Sequence, residues 1–106
     1  MSADSSRFSA HGALFGLALG DALGAVTEFS SVPQILLRFP PDGPQEPKGD
    51  PALVTDDTQM ALCVGEALVA QLGASLVDVS ALENAFRAEF LKWYRSPDNN
   101  RAPGRT

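Results

Sequence analysis

From Ser9 to Ala25 apolar residues and glycines fall on nearly every side of a helical projection, which predicts a buried helix rather than an amphipathic surface one. Gly12, Gly16, Gly20 and Gly24 recur at every fourth position and so share one face of that helix. Each costs the helix about 0.5–1 kcal/mol relative to alanine. A stripe that accepts this cost repeatedly implies close approach by another backbone or a ligand, and close helix packing is the plainer reading. Residues 1–8 are mostly small and polar and predict a frayed terminus.

Ser30-Ser31-Val32-Pro33 has a serine in cap position and a proline in the first turn, so a short helix is expected over Gln34–Arg38. Pro40, Pro41, Pro44, Pro47 and Pro51, with Gly43 and Gly49, make 39–53 a proline-rich loop. Thr55 then caps a helix running to about Leu72 and stopping at Gly73. Met60, Val64, Leu68 and Leu72 recur every fourth residue and predict its core face. Asp78 or Ser80 opens the last helix, where Ser80 and Glu83 fit a capping box. Leu82, Phe86, Phe90 and Trp93 form its apolar stripe, and Pro97 ends it. Residues 96–106 read as a loop, and no strand is predicted. The fold class expected is all-α, a compact orthogonal helical bundle.

Size and charge narrow the picture. The chain has 106 residues, enough for one domain and a modest core. It is 44% apolar, which favours folding over disorder, and its net charge of −5 with no basic cluster gives no footprint for nucleic acid or an anionic membrane. Neither is expected as a partner. The single cysteine, Cys63, cannot form an internal disulfide. The apolar stretch from Ala13 to Val26 is interrupted by Asp21 and preceded by a weak basic region, unlike a secretory signal or a membrane span. A cytoplasmic location is the expectation.

The acids carry the candidate chemistry. Asp21 and Glu28 bracket the exit of the first helix, and Glu28 falls beyond Gly24, where a carboxylate can face a cleft. Asp56 and Asp57 stand side by side at a helix start. Two such charges about 4 Å apart repel by about 4 kcal/mol near a protein surface, whereas a helix N-terminus favours each by roughly 0.3–1 kcal/mol. In water the repulsion falls to about 1 kcal/mol, and an exposed, capped helix explains the pair. If the pair is partly buried, a hard dication is the natural complement, and Thr55, Asp56 and Asp57 offer a hydroxyl and two carboxylates from one turn. Spacing alone leaves both readings open.

Gly16-Leu17-Ala18-Leu19-Gly20-Asp21-Ala22-Leu23-Gly24, Glu28-Phe29 and Thr55-Asp56-Asp57-Thr58-Gln59-Met60-Ala61 together resemble the N-terminal part of the ADP-ribosylglycohydrolase family. The resemblance runs from His11 onward. It implies an all-helical fold and magnesium-dependent hydrolysis of ADP-ribose from a modified acceptor, with water attacking the ribose anomeric carbon. Two Mg²⁺ ions are implied, with Mn²⁺ as the alternative. Thr55, Asp56 and Asp57 match the first group of metal ligands, and Glu28 matches a glutamate given a catalytic or gating role in some members. Gly104 and Thr106 resemble a glycine-containing loop that approaches ADP-ribose, and Asn100 is expected to bind substrate with them. Ala102 and Pro103 stand where several relatives carry a catalytic aspartate. Asp98 is the nearest acid, and is the second catalytic candidate.

Family members are considerably longer, and their second acidic cluster lies near the C-terminus. The resemblance therefore implies that residues 1–106 are the N-terminal part of one larger domain. The partners expected are an ADP-ribosylated substrate and the remaining C-terminal part, carried on a second chain. A non-catalytic ADP-ribose-binding or crystallin-like structural member is the alternative function.

Overall fold

The computed structural model describes residues 3–72 and 78–96. Among these residues are four α-helices, α1 (Ala3–Ala25), α2 (Val32–Arg38), α3 (Asp56–Gln71) and α4 (Val79–Tyr94). Among the described residues there is no strand, and the extended segments contribute one isolated bridge between Gly49 and Ala52. The expected all-α class holds. The chain divides into two units, Met1–Val54 and Thr55–Thr106.

In the first unit α1 starts at Ala3, so from that residue the frayed terminus expected over 1–8 is corrected to helix. Residues 3–11 contain neither proline nor glycine, and an existing helix extends at the gain of one hydrogen bond per added residue. A second correction concerns burial. Ala22 is the buried residue of α1, whereas Phe8, Leu14, Phe15, Leu17 and Leu19 are exposed. The only other helix of this unit has seven residues and buries none of them, too little to cover a helix that is apolar all round. The glycine stripe is open as well: a Cβ built at Gly12, Gly16, Gly20 or Gly24 meets nothing within 4 Å.

The chain turns at once after α1. Thr27 N–H and Oγ1 both donate to the Gly24 carbonyl, at 3.0 and 3.1 Å, and Ser30 N–H donates to Thr27 C=O at 3.0 Å. Ser31 caps α2 with the reciprocal pair of a capping box. Its N–H donates to Gln34 Oε1 at 2.8 Å, and its Oγ accepts from Gln34 N–H at 3.4 Å. Pro33 lies in that first turn, where a missing N–H costs nothing. In the following loop Gly49 has φ +105°, and a Cβ there would lie 3.0 Å from the Pro51 carbonyl oxygen. Glycine is required at that bend on both counts.

The second unit is a helix pair, with α4 packed on α3. Asp78 caps α4, its Oδ1 accepting from Ser80 N–H at 3.1 Å, which decides between the two expected starts. The stripe of α4 behaves as predicted, with Trp93 buried and Leu82, Phe86 and Phe90 half-buried. That of α3 does so only in its first half. Its most buried side chains are Ala67 at 1%, Cys63 at 4% and Thr58 at 6% exposure, whereas along the expected row Met60 and Val64 are half-buried and Leu68 and Leu72 exposed. The packed face is thus rotated by one residue, about 100°, from the Met60, Val64, Leu68, Leu72 row.

Candidate functional site

Thr55 occupies the N-cap of α3 in an extended conformation, φ −110° and ψ −163°, and Asp56 and Asp57 form the first turn. The expected cap position is therefore correct, but the Thr55 side chain makes no capping hydrogen bond. What closes the turn is the backbone, with Gln59 N–H donating to Thr55 C=O at 3.3 Å. Beneath it Thr58 is buried. Three sequence-predicted metal-site residues are thereby held within one turn.

Consecutive helical residues point about 100° apart, so the two carboxylates diverge rather than face each other. Asp56 is half-buried and Asp57 exposed. This lowers the repulsion that their adjacency suggests, and the positive end of α3 offsets part of what remains. Among the described residues neither acid is paired with a basic side chain, the two ion pairs being Lys48–Glu46 and Lys92–Glu89. The turn thus presents a hydroxyl and two carboxylates, all hard oxygen donors of the type that Mg²⁺ or Mn²⁺ prefers. The donor type fits such an ion, although three oxygens are half of an octahedral set. Among the described residues no group of three His, Cys, Asp or Glu side chains comes together to hold a metal.

Glu28 belongs to the first unit, where it is exposed in the turn that follows α1. That turn is tied to α2 by Arg38. Its Nη1 donates to Val26 C=O at 3.0 Å and lies 3.5 Å from Ser30 Oγ, while the guanidinium carbon sits 5.1 Å from the Phe39 ring centroid. Glu28 is therefore held from both sides on a short, bonded turn rather than on a loose loop. Asp98, Asn100, Gly104 and Thr106 lie outside the described residues.

Two residues that support these turns do not stand out in the sequence. Arg38 reads as an ordinary last-turn cation of a short helix. Gln59 reads as one polar residue in an apolar run, yet its Oε1 accepts a 2.8 Å hydrogen bond from Trp93 Nε1 on α4. A buried tryptophan generally needs an acceptor for its N–H, so the stripe of α4 signalled that some partner exists without saying which.

The model of the ADP-ribosylglycohydrolase family matches residues 2–106. The ADP-ribosylarginine hydrolase Tri1 of Serratia proteamaculans is 36% identical over 91 residues, which are 86% of this chain and 23% of that protein. The ADP-ribosyl dinitrogen reductase glycohydrolase of Rhodospirillum rubrum is 33% identical over 100 residues, covering 91% of this chain and 32% of its own length. ADP-ribosylhydrolase ARH3 of Gallus gallus is 41% identical over 80 residues, 65% of this chain and 22% of that protein. The chain spans less than a third of the length of each of these relatives. No solved structure gives a significant match. Among the described residues no helix is long and apolar enough to cross a membrane.

Proposed function

The chain belongs to the ADP-ribosylglycohydrolase family, and from that premise we propose that it forms the N-terminal part of a magnesium-dependent enzyme that hydrolyses ADP-ribose from a modified acceptor. The observation that carries this reading is the first turn of α3, where Thr55, Asp56 and Asp57 offer three hard oxygens with no basic side chain paired to either acid among the described residues. The relatives suggest the substrate class, since two of them are hydrolases or glycohydrolases of ADP-ribosylated arginine or dinitrogen reductase.

In this mechanism Thr55, Asp56 and Asp57 would hold Mg²⁺, as the first group of ligands to a pair of ions, with Mn²⁺ able to substitute, and the metal would supply positive charge for an anionic ligand and Lewis acidity there. The remaining work belongs to side chains. Glu28 or Asp98 accepts a proton from the water that attacks the anomeric carbon. The bond from that carbon to the acceptor breaks with oxocarbenium character, and the acceptor leaves with its bonding electron pair and takes the proton that the same carboxyl removed from water. Asn100, Gly104 and Thr106 contact the ADP-ribose.

The reading needs further oxygen ligands and a cover for α1, and we assign both to the later part of the family fold, carried in the same chain or on a second polypeptide. The exposed Phe15 and Leu37, at 72% and 83%, are surfaces that such a cover would bury. Intact mass with size-exclusion chromatography tests this partner. A folded monodisperse 11.2 kDa monomer without a second polypeptide excludes the two-chain version.

Asp56→Ala, measured on the protein as purified with any polypeptide that accompanies it, should abolish Mg²⁺-dependent release of ADP-ribose while helical content is retained. Full activity in that variant defeats the ligand assignment. Calorimetry with ADP-ribose, with and without Mg²⁺, separates an enzyme from the non-catalytic alternative, for which binding without turnover is the signature.

A further inference from the structure

We propose that Trp93 is a positioning residue: through Gln59 it holds the first turn of α3, and with it the oxygens of Thr55, Asp56 and Asp57, in the arrangement that receives a divalent cation. The proposal rests on the metal-ligand reading of that turn and adds to it a residue from another helix.

Thr55 makes no side-chain capping bond, and the backbone bond that closes the turn, Gln59 N–H to Thr55 C=O, is long at 3.3 Å. Gln59 is the residue whose backbone closes this turn, and its side chain carries the acceptor for the indole of Trp93, 2.8 Å away. Trp93 is 5% exposed in the packed pair of α3 and α4, so the donor is fixed by its surroundings. Any carbonyl could satisfy a buried indole N–H. Here the acceptor is the side chain of the turn-closing residue, which couples the position of α4 to the geometry of the acids.

The test follows the amide resonances of Asp56 and Asp57 during titration with Mn²⁺ alone, whose paramagnetic broadening reports weak binding without any need for turnover. Trp93→Phe keeps an aromatic ring and removes the N–H; Gln59→Met keeps length and removes the acceptor. Each should weaken Mn²⁺ binding about three- to tenfold, the size expected for loss of one buried hydrogen bond, and the double variant should be no weaker than either single one. Leu82→Ala, which removes a half-buried side chain of the same helix pair about three turns of α4 away from Trp93, should lower the melting temperature and leave Mn²⁺ affinity unchanged. Unchanged affinity in Trp93→Phe and Gln59→Met, whatever their melting temperatures, overturns the positioning role and leaves the metal-ligand reading standing. No broadening at Asp56 and Asp57 in the unaltered protein defeats that reading, and this proposal with it.

Discussion

Trp93 on α4 donates its indole N–H to Oε1 of Gln59 on α3 at 2.8 Å, across 34 residues of sequence. This bond joins the two properties that matter most in the second unit. One is the packing of α4 on the small residues of α3, and the other is the turn that carries the acid pair. Ala67 and Cys63 are more buried than Trp93, at 1% and 4% against 5% exposure, so the unit's most buried side chains are one large aromatic and a few small residues. Such a core has little redundancy.

Substitutions on α3 should therefore follow the rotated face rather than the leucine row. Ala67→Leu adds volume where exposure is 1% and should destabilise by about 1–3 kcal/mol, the range for overpacking. Leu72→Ser, at a position 78% exposed, should stay within about 0.5 kcal/mol. Trp93→Ala should cost about 3–5 kcal/mol. Urea unfolding followed by circular dichroism measures all three, and a larger loss for Leu72→Ser than for Ala67→Leu would restore the leucine face as the core.

The reversal shows what the sequence could carry. Helix starts were legible because capping is local: a serine before Pro33, Thr55 before two acids, and the choice of Asp78 or Ser80 are each read within four residues. The acid pair was legible for the same reason, being two neighbours in a turn. The face of α3 was not. Periodicity finds the most apolar row, but which row is buried depends on what packs against the helix, and in α3 the most buried row is that of Cys63 and Ala67. The exposure of α1 has a related cause, since a pattern that is apolar all round states that a helix needs covering without naming the cover. The Trp93–Gln59 and Arg38–Val26 bonds join residues 34 and 12 apart, beyond the reach of any local rule.

Arg38→Ala should loosen the turn that holds Glu28, because it removes the bond to Val26 C=O at 3.0 Å and the contact with Ser30 Oγ. Amide exchange at Thr27 to Ser30 should quicken about two- to tenfold, the equivalent of one lost side-chain hydrogen bond. If Glu28 serves the reaction as proposed, kcat should fall while Mn²⁺ broadening at Asp56 and Asp57 stays as it was. Glu28→Gln should lower kcat further still, with Arg38→Ala adding little on top of it. An Arg38→Ala variant with faster exchange and full activity would detach this turn from the chemistry.

Lys92 donates to Glu89 Oε1 at 2.9 Å, and that hydrogen bond, together with the carboxylate charge, raises its pKa above the ordinary 10.5. A group whose folded pKa is raised stabilises the fold below its unfolded value and loses that contribution as pH rises through the folded one. The ammonium is fully exposed, so the effect is small and screened by salt. Lys92→Met should give a melting temperature slightly below that of the unaltered protein at pH 7, and the gap should close above about pH 10.5. A gap that widens with alkalinity would show that the pair is not its source.

The glycine stripe of α1 yields opposite expectations in two states of the protein. Nothing lies within 4 Å of a Cβ built at Gly16, so Gly16→Ala fits the described structure without a clash. Alanine restricts the unfolded chain more than glycine does, and the exchange should stabilise α1 by about 0.5–1 kcal/mol. Amide exchange along α1 in the chain by itself should slow about two- to fivefold, which is that energy expressed as an opening equilibrium. A helix that approaches closely enough to need four glycines meets the added methyl directly. In the presence of the polypeptide proposed to cover α1, Gly16→Ala should therefore weaken association, and Gly16→Leu should weaken it more. Equal association by all three forms, with the slower exchange still seen, would mean that the stripe faces no helix and that the cover lies on the Phe15 side instead.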